Sequence, residues 1–292
     1  MKNSVDHLLD SDLIIVAGAM KAGTTSLVDF LVRKYGKKLI CGEKEPRTLI
    51  GKTFIDRLFC KWPFQSEIKN ISLSNYIRII KRNTRYGTID GSVCYSHLFK
   101  ETDVSKNIKA IIEEGYSVSI IYIKRDTKRL VESHFASISR ATPGGNEIQK
   151  YLDEELAFFK KIGRFSLSDL VNSGIRRTPE DCISLSFLSD RYLHEIRSNF
   201  PDNLIEVRFE DMVNGKYPKI YLQDGPIQNK GHGLPKYVVT PYIHRIIEKI
   251  PRKMKRSQWL KSIYSKLLFQ EKRYEISENH YISMKSKVDC FW

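Results

Sequence analysis

Leu13-Ile14-Ile15-Val16-Ala17-Gly18-Ala19-Met20-Lys21-Ala22-Gly23-Thr24-Thr25-Ser26-Leu27 is the stretch whose reading decides the fold. Its first four residues form a short, mostly β-branched apolar run of the kind buried on both faces of a parallel sheet. Small residues follow, and then Leu27, Phe30 and Leu31 recur at helical spacing. Strand, small-residue loop, helix is the arrangement in which backbone N–H groups and a helix N-terminus hold an anion. The same residues also suit a plain turn before a packing helix.

Working outward, Ser117 to Ile123 (SVSIIYI) reads as a second buried strand. It turns at Lys124-Arg125-Asp126 into a helix carrying Leu130, Val131, His134 and Phe135. Between these units lie a short strand at Leu39-Ile40, a loop from Glu43 to Arg47 and a strand-like segment at 87–90. A third unit has a helix from about Leu185 to Phe200, a turn at Pro201-Asp202-Asn203 and a strand from Leu204 to Phe209. The alternation predicts an α/β fold of P-loop-like, three-layer form, a central parallel sheet flanked by helices, in one domain spanning 1–292. Ligands in such sheets sit beyond the carboxyl ends of the strands. Residues 136–180 read as an insertion of helices and loops walling the site.

Subtracting 34 Asp and Glu from 49 Lys and Arg leaves +15 on 292 residues, and 41% hydrophobic content supports a full core. That excludes a disordered basic tail and calls for anionic company: nucleic acid, an acidic membrane face, an acidic polymer or a phosphorylated small molecule. Cys41, Cys60, Cys94, Cys182 and Cys290 are odd in number and contain no CxxC pair, which argues against a disulfide scaffold or zinc ribbon. The first residues lack a signal-peptide apolar core, and no run approaches the ~18 apolar residues of a membrane span. The expectation is a cytoplasmic protein.

Gly18 to Thr25 has the length of the nucleotide-binding pattern GxxxxGK[ST], but Thr24 stands at the lysine position and Lys21 lies inside the loop. A phosphotransferase of that class needs its lysine to reach the β- and γ-phosphates. Lys21 suits a shorter anion. The segment AGAMKAGTTSL (17–27) resembles the 5′-phosphosulfate loop of sulfotransferases that use 3′-phosphoadenosine 5′-phosphosulfate (PAPS), in particular the heparan-sulfate-type and bacterial carbohydrate branches.

Arg125 at a strand end with Ser133 eight residues on offers a planar donor fork and a short hydroxyl, and the pair resembles the 3′-phosphate motif of that family. Asn229-Lys230-Gly231-His232-Gly233 is similar to its late nucleotide-pocket loop, with His232 where the family usually has arginine; it also suits a surface turn. Glu43-Lys44-Glu45-Pro46-Arg47 resembles the stretch whose glutamate is the family's proposed base, although Arg47-Thr48-Leu49 replaces the usual His-Phe-Phe. His97 is the rival base, since other branches use histidine. Asp90 to Tyr95 is similar to a cleft-lining segment and equally suits a strand end with a packed tyrosine, while Arg208 to Met212 resembles a stretch read as structural.

The resemblance implies transfer of a sulfuryl group from PAPS to a hydroxyl or amine of an acceptor, a glycan or glycolipid, without a metal. Lys21 and Glu45 would be catalytic. Lys21, Ala22, Gly23, Thr24, Thr25, Ser26, Arg125, Ser133, Lys230, Gly231 and His232 would bind the nucleotide. The alternative is a nucleotide-dependent kinase. A nucleic-acid binder would instead interleave its basic residues with exposed aromatics. Residues 241–273 hold ten Lys and Arg against two Glu, among apolar residues. Within a basic helical C-terminal region, 241–292, they offer peripheral contact with an anionic membrane or form a solvated helix packed on the core.

Overall fold

A computed structural model describes residues 10–59, 71–141, 148–214 and 275–291. Five strands, β1 (Leu13–Gly18), β2 (Lys38–Leu39), β3 (Thr88–Asp90), β4 (Val118–Lys124) and β5 (Leu204–Arg208), form one sheet in the order β2-β3-β1-β4-β5. Every pairing is parallel, with Leu13 opposite both Thr88 and Val118. β1 is buried along its whole length and β4 along all but Lys124, which is why β1 reads as an apolar run and β4 as one interrupted only by Ser119 before Lys124, rather than as alternating strands.

The helices are α1 (Thr24–Tyr35), α2 (Lys52–Leu58), α3 (Leu73–Asn83), α4 (Val104–Glu113), α5 (Thr127–Ala141) and α6 (Ile148–Ile162). After them come α7 (Leu167–Asn172), α8 (Ser184–Phe187), α9 (Ser189–Asn199), α10 (Phe209–Val213) and α11 (Glu278–Asp289). They flank the sheet and complete the expected three-layer α/β architecture. α1 buries Leu27, Val28, Phe30 and Leu31 and stops at Gly36, whose φ of 65° only glycine adopts freely. β1 leads to β2 on one side of the sheet and β4 leads to β5 on the other, so a topological switch point lies where β1 and β4 end.

Several boundaries differ from the sequence reading. The second strand is Lys38–Leu39, because Ile40 already begins a 3-10 turn. The helix expected from Leu185 to Phe200 is two helices, broken at Leu188 where ψ opens to 8°. The strand expected to reach Phe209 stops at Arg208, and Phe209 starts α10. Helices α2, α3 and α4 occupy a stretch that the sequence reading left mostly unassigned, and α5, α6 and α7 fill most of 136–172. Among the described residues no helix is long and apolar enough to cross a membrane.

Candidate functional site

Pairing of β1 with β4 extends past the strands: the Ala19 amide donates to the Ile123 carbonyl at 3.1 Å. The loop 19–23 therefore lies beside Lys124 and Arg125. Arg125 Nη1 donates to the Lys21 carbonyl at 2.7 Å, and its guanidinium stacks over Phe209, 4.7 Å from the ring centroid. Lys21 has φ 69°, a left-handed conformation uncommon for a non-glycine residue, which the Arg125 bond helps to hold.

The Lys21 ammonium donates to Ser137 Oγ on α5 at 2.8 Å. Ser137 lies one helical turn beyond Ser133, so both hydroxyls share the α5 face that meets the loop. Ser133 itself is half-buried, and its hydroxyl forms no hydrogen bond among the described residues.

Gly23 caps α1 at φ 85° without a side-chain hydrogen bond, and α1 has no acidic residue in its first turn. A Cβ at Gly23 would lie 2.9 Å from Phe209 Cε2, so both conformation and space require glycine. Ala22, Thr24 and Ser26 are buried, whereas Lys21, Gly23 and Thr25 are partly open. Of the six residues assigned to the loop, those three present surface to a ligand. The polar side chains that converge here are the Lys21 and Arg125 cations and the Ser133 and Ser137 hydroxyls, and the positive end of the α1 dipole adds to them. Groups of this kind are chemically suited to an anion.

The field of Lys21 reaches a buried histidine. Burial, and then the Lys21 charge, push His134 down to about 3, so it is neutral at pH 7. His134 Nε2 lies 2.8 Å from the Glu180 carbonyl, which can only accept, so Nε2 carries the proton. Nδ1 then accepts from Ser186 Oγ at 2.8 Å.

Glu45 belongs to an ionic cluster. Its carboxylate pairs with the Lys44 ammonium and, at 3.2 Å, with Arg47 Nη2. Arg47 is the hub: its Nε and Nη2 donate to Glu180 at 2.9–3.1 Å, and its guanidinium lies 5.3 Å from the Phe59 ring centroid. Its own amide donates to Ser92 Oγ at 2.9 Å, with φ 57°. Burial disfavours the charged guanidinium, but Glu180 and Glu45 outweigh that and keep it protonated. Arg47, a departure from the family pattern by sequence, thus orients the candidate base and ties it to Glu180, 133 positions beyond Arg47.

Asp90, at the end of β3 beside β1, is fully buried and accepts from the Tyr76 hydroxyl at 2.9 Å, the Tyr95 hydroxyl at 2.7 Å and the Ser92 amide at 3.0 Å. Burial raises its carboxyl above the usual range despite these bonds. Tyr95 in turn accepts from the Leu49 amide at 3.1 Å. Of the two readings open for residues 90–95, the packed-tyrosine strand end describes them: they brace the turn that carries Arg47.

His97 is buried, and burial and then Arg47 push it down to about 3, with Glu45 acting the other way. Its Nε2 has no hydrogen-bond partner among the described residues, and it lines a cavity of about 10 Å³ with Ala19, Met20, Ser186, Ser189 and Tyr192, room for about one water. The two candidate bases thus share one neighbourhood, and Glu45 is the more exposed. Lys230, Gly231, His232 and the basic stretch 241–273 lie outside the described residues.

Sequence reasoning missed Ser137, Phe209, Glu180 and the part played by Arg47. Ser137 had a local signal, its helical spacing from Ser133. Phe209 and Glu180 reach the site only through the fold. Among the described residues no group of three or more His, Cys, Asp or Glu could hold a metal ion. No family model, curated protein or solved structure matches the chain.

Proposed function

We propose that this protein is a sulfotransferase that moves a sulfuryl group from PAPS to a hydroxyl or amine of an acceptor, a glycan or glycolipid. One observation carries the reading: Lys21, the uncapped start of α1 and Arg125 converge at the ends of two neighbouring central strands, with Arg125 bonded to the loop itself. PAPS brings the transferable sulfuryl group together with two anionic ends, a 5′-phosphosulfate and a 3′-phosphate.

Lys21 and the amides at the start of α1 hold the 5′ end, where negative charge grows as the sulfuryl group departs. Donors placed there favour the transition state over the ground state. Arg125, with Ser133 on the α5 face beside the loop, holds the 3′-phosphate and selects PAPS over ATP. Glu45 takes the proton that the acceptor hydroxyl loses as its oxygen bonds to sulfur, and Lys44 and Arg47 fix the orientation of that carboxylate. The same reading puts the enzyme in the cytoplasm, with 241–273 in peripheral contact with an anionic membrane.

The kinase alternative meets an obstacle at Asp90. A magnesium-binding phosphotransferase of this architecture uses an aspartate at such a strand end, and here two tyrosines and an amide occupy it. The experiment is transfer of ³⁵S from labelled PAPS to a panel of glycans and glycolipids in the presence of EDTA. Transfer that Lys21→Ala and Glu45→Gln each reduce by more than a hundredfold supports the reading. Transfer of phosphate from ATP that depends on magnesium refutes it.

A further inference from the structure

The cavity beside the Lys21 loop is lined by Ala19 and Met20, the first two loop residues, and by His97. His97 is buried, and its Nε2 finds no hydrogen-bond partner among the described residues. A buried ring nitrogen in that state is costly, and in native proteins such groups are met by a protein group or an ordered water. The walls leave little freedom for a side chain to swing in. A Cβ at Gly18 would lie 2.8 Å from Tyr122 Cε2 and 2.9 Å from Ser96 Oγ, and both of those residues line the cavity. Tyr122 is fixed in turn by its hydroxyl, which donates to the Ser189 carbonyl at 2.8 Å.

Ser186 also lines the cavity, and its hydroxyl hydrogen is already committed. It goes to His134 Nδ1 at 2.8 Å, because His134 carries its own proton on Nε2 toward the Glu180 carbonyl. Ser186 Oγ therefore keeps a lone pair and has no hydrogen left to give. Ser96 Oγ, which donates to the Val93 carbonyl at 3.2 Å, is in the same position. A water has two hydrogens and two lone pairs, so it can donate to such an oxygen and serve His97 Nε2 in either tautomer. The cavity, at about 10 Å³, has room for about one. No carboxylate lines it, so a cation would lack a counter-charge there.

We propose that this cavity is a water site, in which one ordered water donates to Ser186 Oγ and bonds His97 Nε2. The water completes a hydrogen-bonded chain from His97 through Ser186 and His134 to the Glu180 carbonyl. The Glu180 carboxylate holds Arg47, and Arg47 holds Glu45. The chain thus links the wall of the Lys21 loop to the ionic cluster, and it makes His97 a positioning residue. Each bond in such a chain polarises and strengthens the next. The proposal rests on the lining of the cavity alone and stands or falls apart from the reading of the Lys21 loop as a PAPS site.

The test uses the full chain. In crystals of the parent protein, one water should lie within about 3.2 Å of both Ser186 Oγ and His97 Nε2. In solution, ¹⁷O relaxation dispersion should count one long-lived water fewer in His97→Phe than in the parent. The same substitution at an exposed histidine, His194→Phe, should leave the count unchanged. The ¹⁵N resonance of His134 Nδ1 should move downfield in His97→Phe and not in His194→Phe, since a Ser186 hydroxyl that no longer accepts from the water donates less strongly. The parent crystal decides the matter even where His97→Phe does not fold. A dry cavity, a His97 ring whose Nε2 bonds a protein group instead, or a folded His97→Phe with unchanged water count and His134 resonance each overturns the proposal.

Discussion

Replacing Glu180 by Gln tests the ionic cluster that holds Glu45. Glu180 accepts three hydrogen bonds of 2.9–3.1 Å from Arg47, whose side chain is only 10% exposed and which, among the described residues, also pairs with Glu45. The glutamine keeps the shape and one acceptor oxygen but removes the charge. Breaking a buried ion pair costs about 3–5 kcal/mol. Glu45 still pairs with Arg47 and the glutamine oxygen still accepts, so the expected loss is about 2–3 kcal/mol, the scale of one charge-assisted hydrogen bond. For a chain of this length that lowers Tm by about 5–8 °C. Circular dichroism melts and urea titrations measure it directly. Removing both charges, as Arg47→Met with Glu180→Leu, should recover at least half of the loss, because no unpaired charge is left buried. A Tm within about 1 °C of the parent for Glu180→Gln would show that Arg47 is not desolvated as described and that Glu45 is not held through it.

Other outcomes follow from the same geometry. Gly23→Ala places a Cβ at φ 85° and 2.9 Å from Phe209 Cε2, so it should destabilise the fold by about 1–3 kcal/mol in chemical denaturation and weaken anion binding together with it. Phe209→Ala removes the surface on which Arg125 stacks and should weaken binding of adenosine 3′,5′-bisphosphate about three- to tenfold in calorimetry, the range of a cation–π contact. His97 and His134 are held down to about 3 in the folded protein against an ordinary 6.5, so the unfolded chain binds protons that the folded one refuses. Their contribution to stability is present above pH 6.5 and is lost progressively as pH falls below it. The two histidines contribute an uptake of about two protons on unfolding near pH 5, read in denaturant melts as an uptake lower by about one in His134→Gln than in the parent.

Much of this architecture is legible in the sequence because it depends on local pattern. β1 and β4 are apolar runs that no other element explains, and the Gly23 cap with the Leu27 and Leu31 spacing fixes α1. α3 carries an equally clear helical pattern in Tyr76, Ile77 and Ile80, but no strand among the described residues leads into it to flag it as part of a strand–helix unit. The helix expected at 185–200 breaks at Leu188, because α8 and α9 pack separately and nothing in the local composition marks the break. Lys21 and Arg125 are recoverable as residues of the candidate site because each follows a strand and the strands pair. Arg47 is different: its role depends on Glu180, Ser92 and Phe59, which only the fold brings to it. Asp90 reads as a candidate cleft residue until the hydroxyls of Tyr76 and Tyr95 are seen to occupy it.

The most direct test of the central claim is a calorimetric titration of the full chain with adenosine 3′,5′-bisphosphate and, separately, with ATP, each with magnesium and with EDTA. Sulfuryl transfer from PAPS predicts that the bisphosphate binds at least tenfold more tightly than ATP, equally well in EDTA, and that Arg125→Ala removes that preference. Tighter binding of ATP, dependent on magnesium, would contradict it.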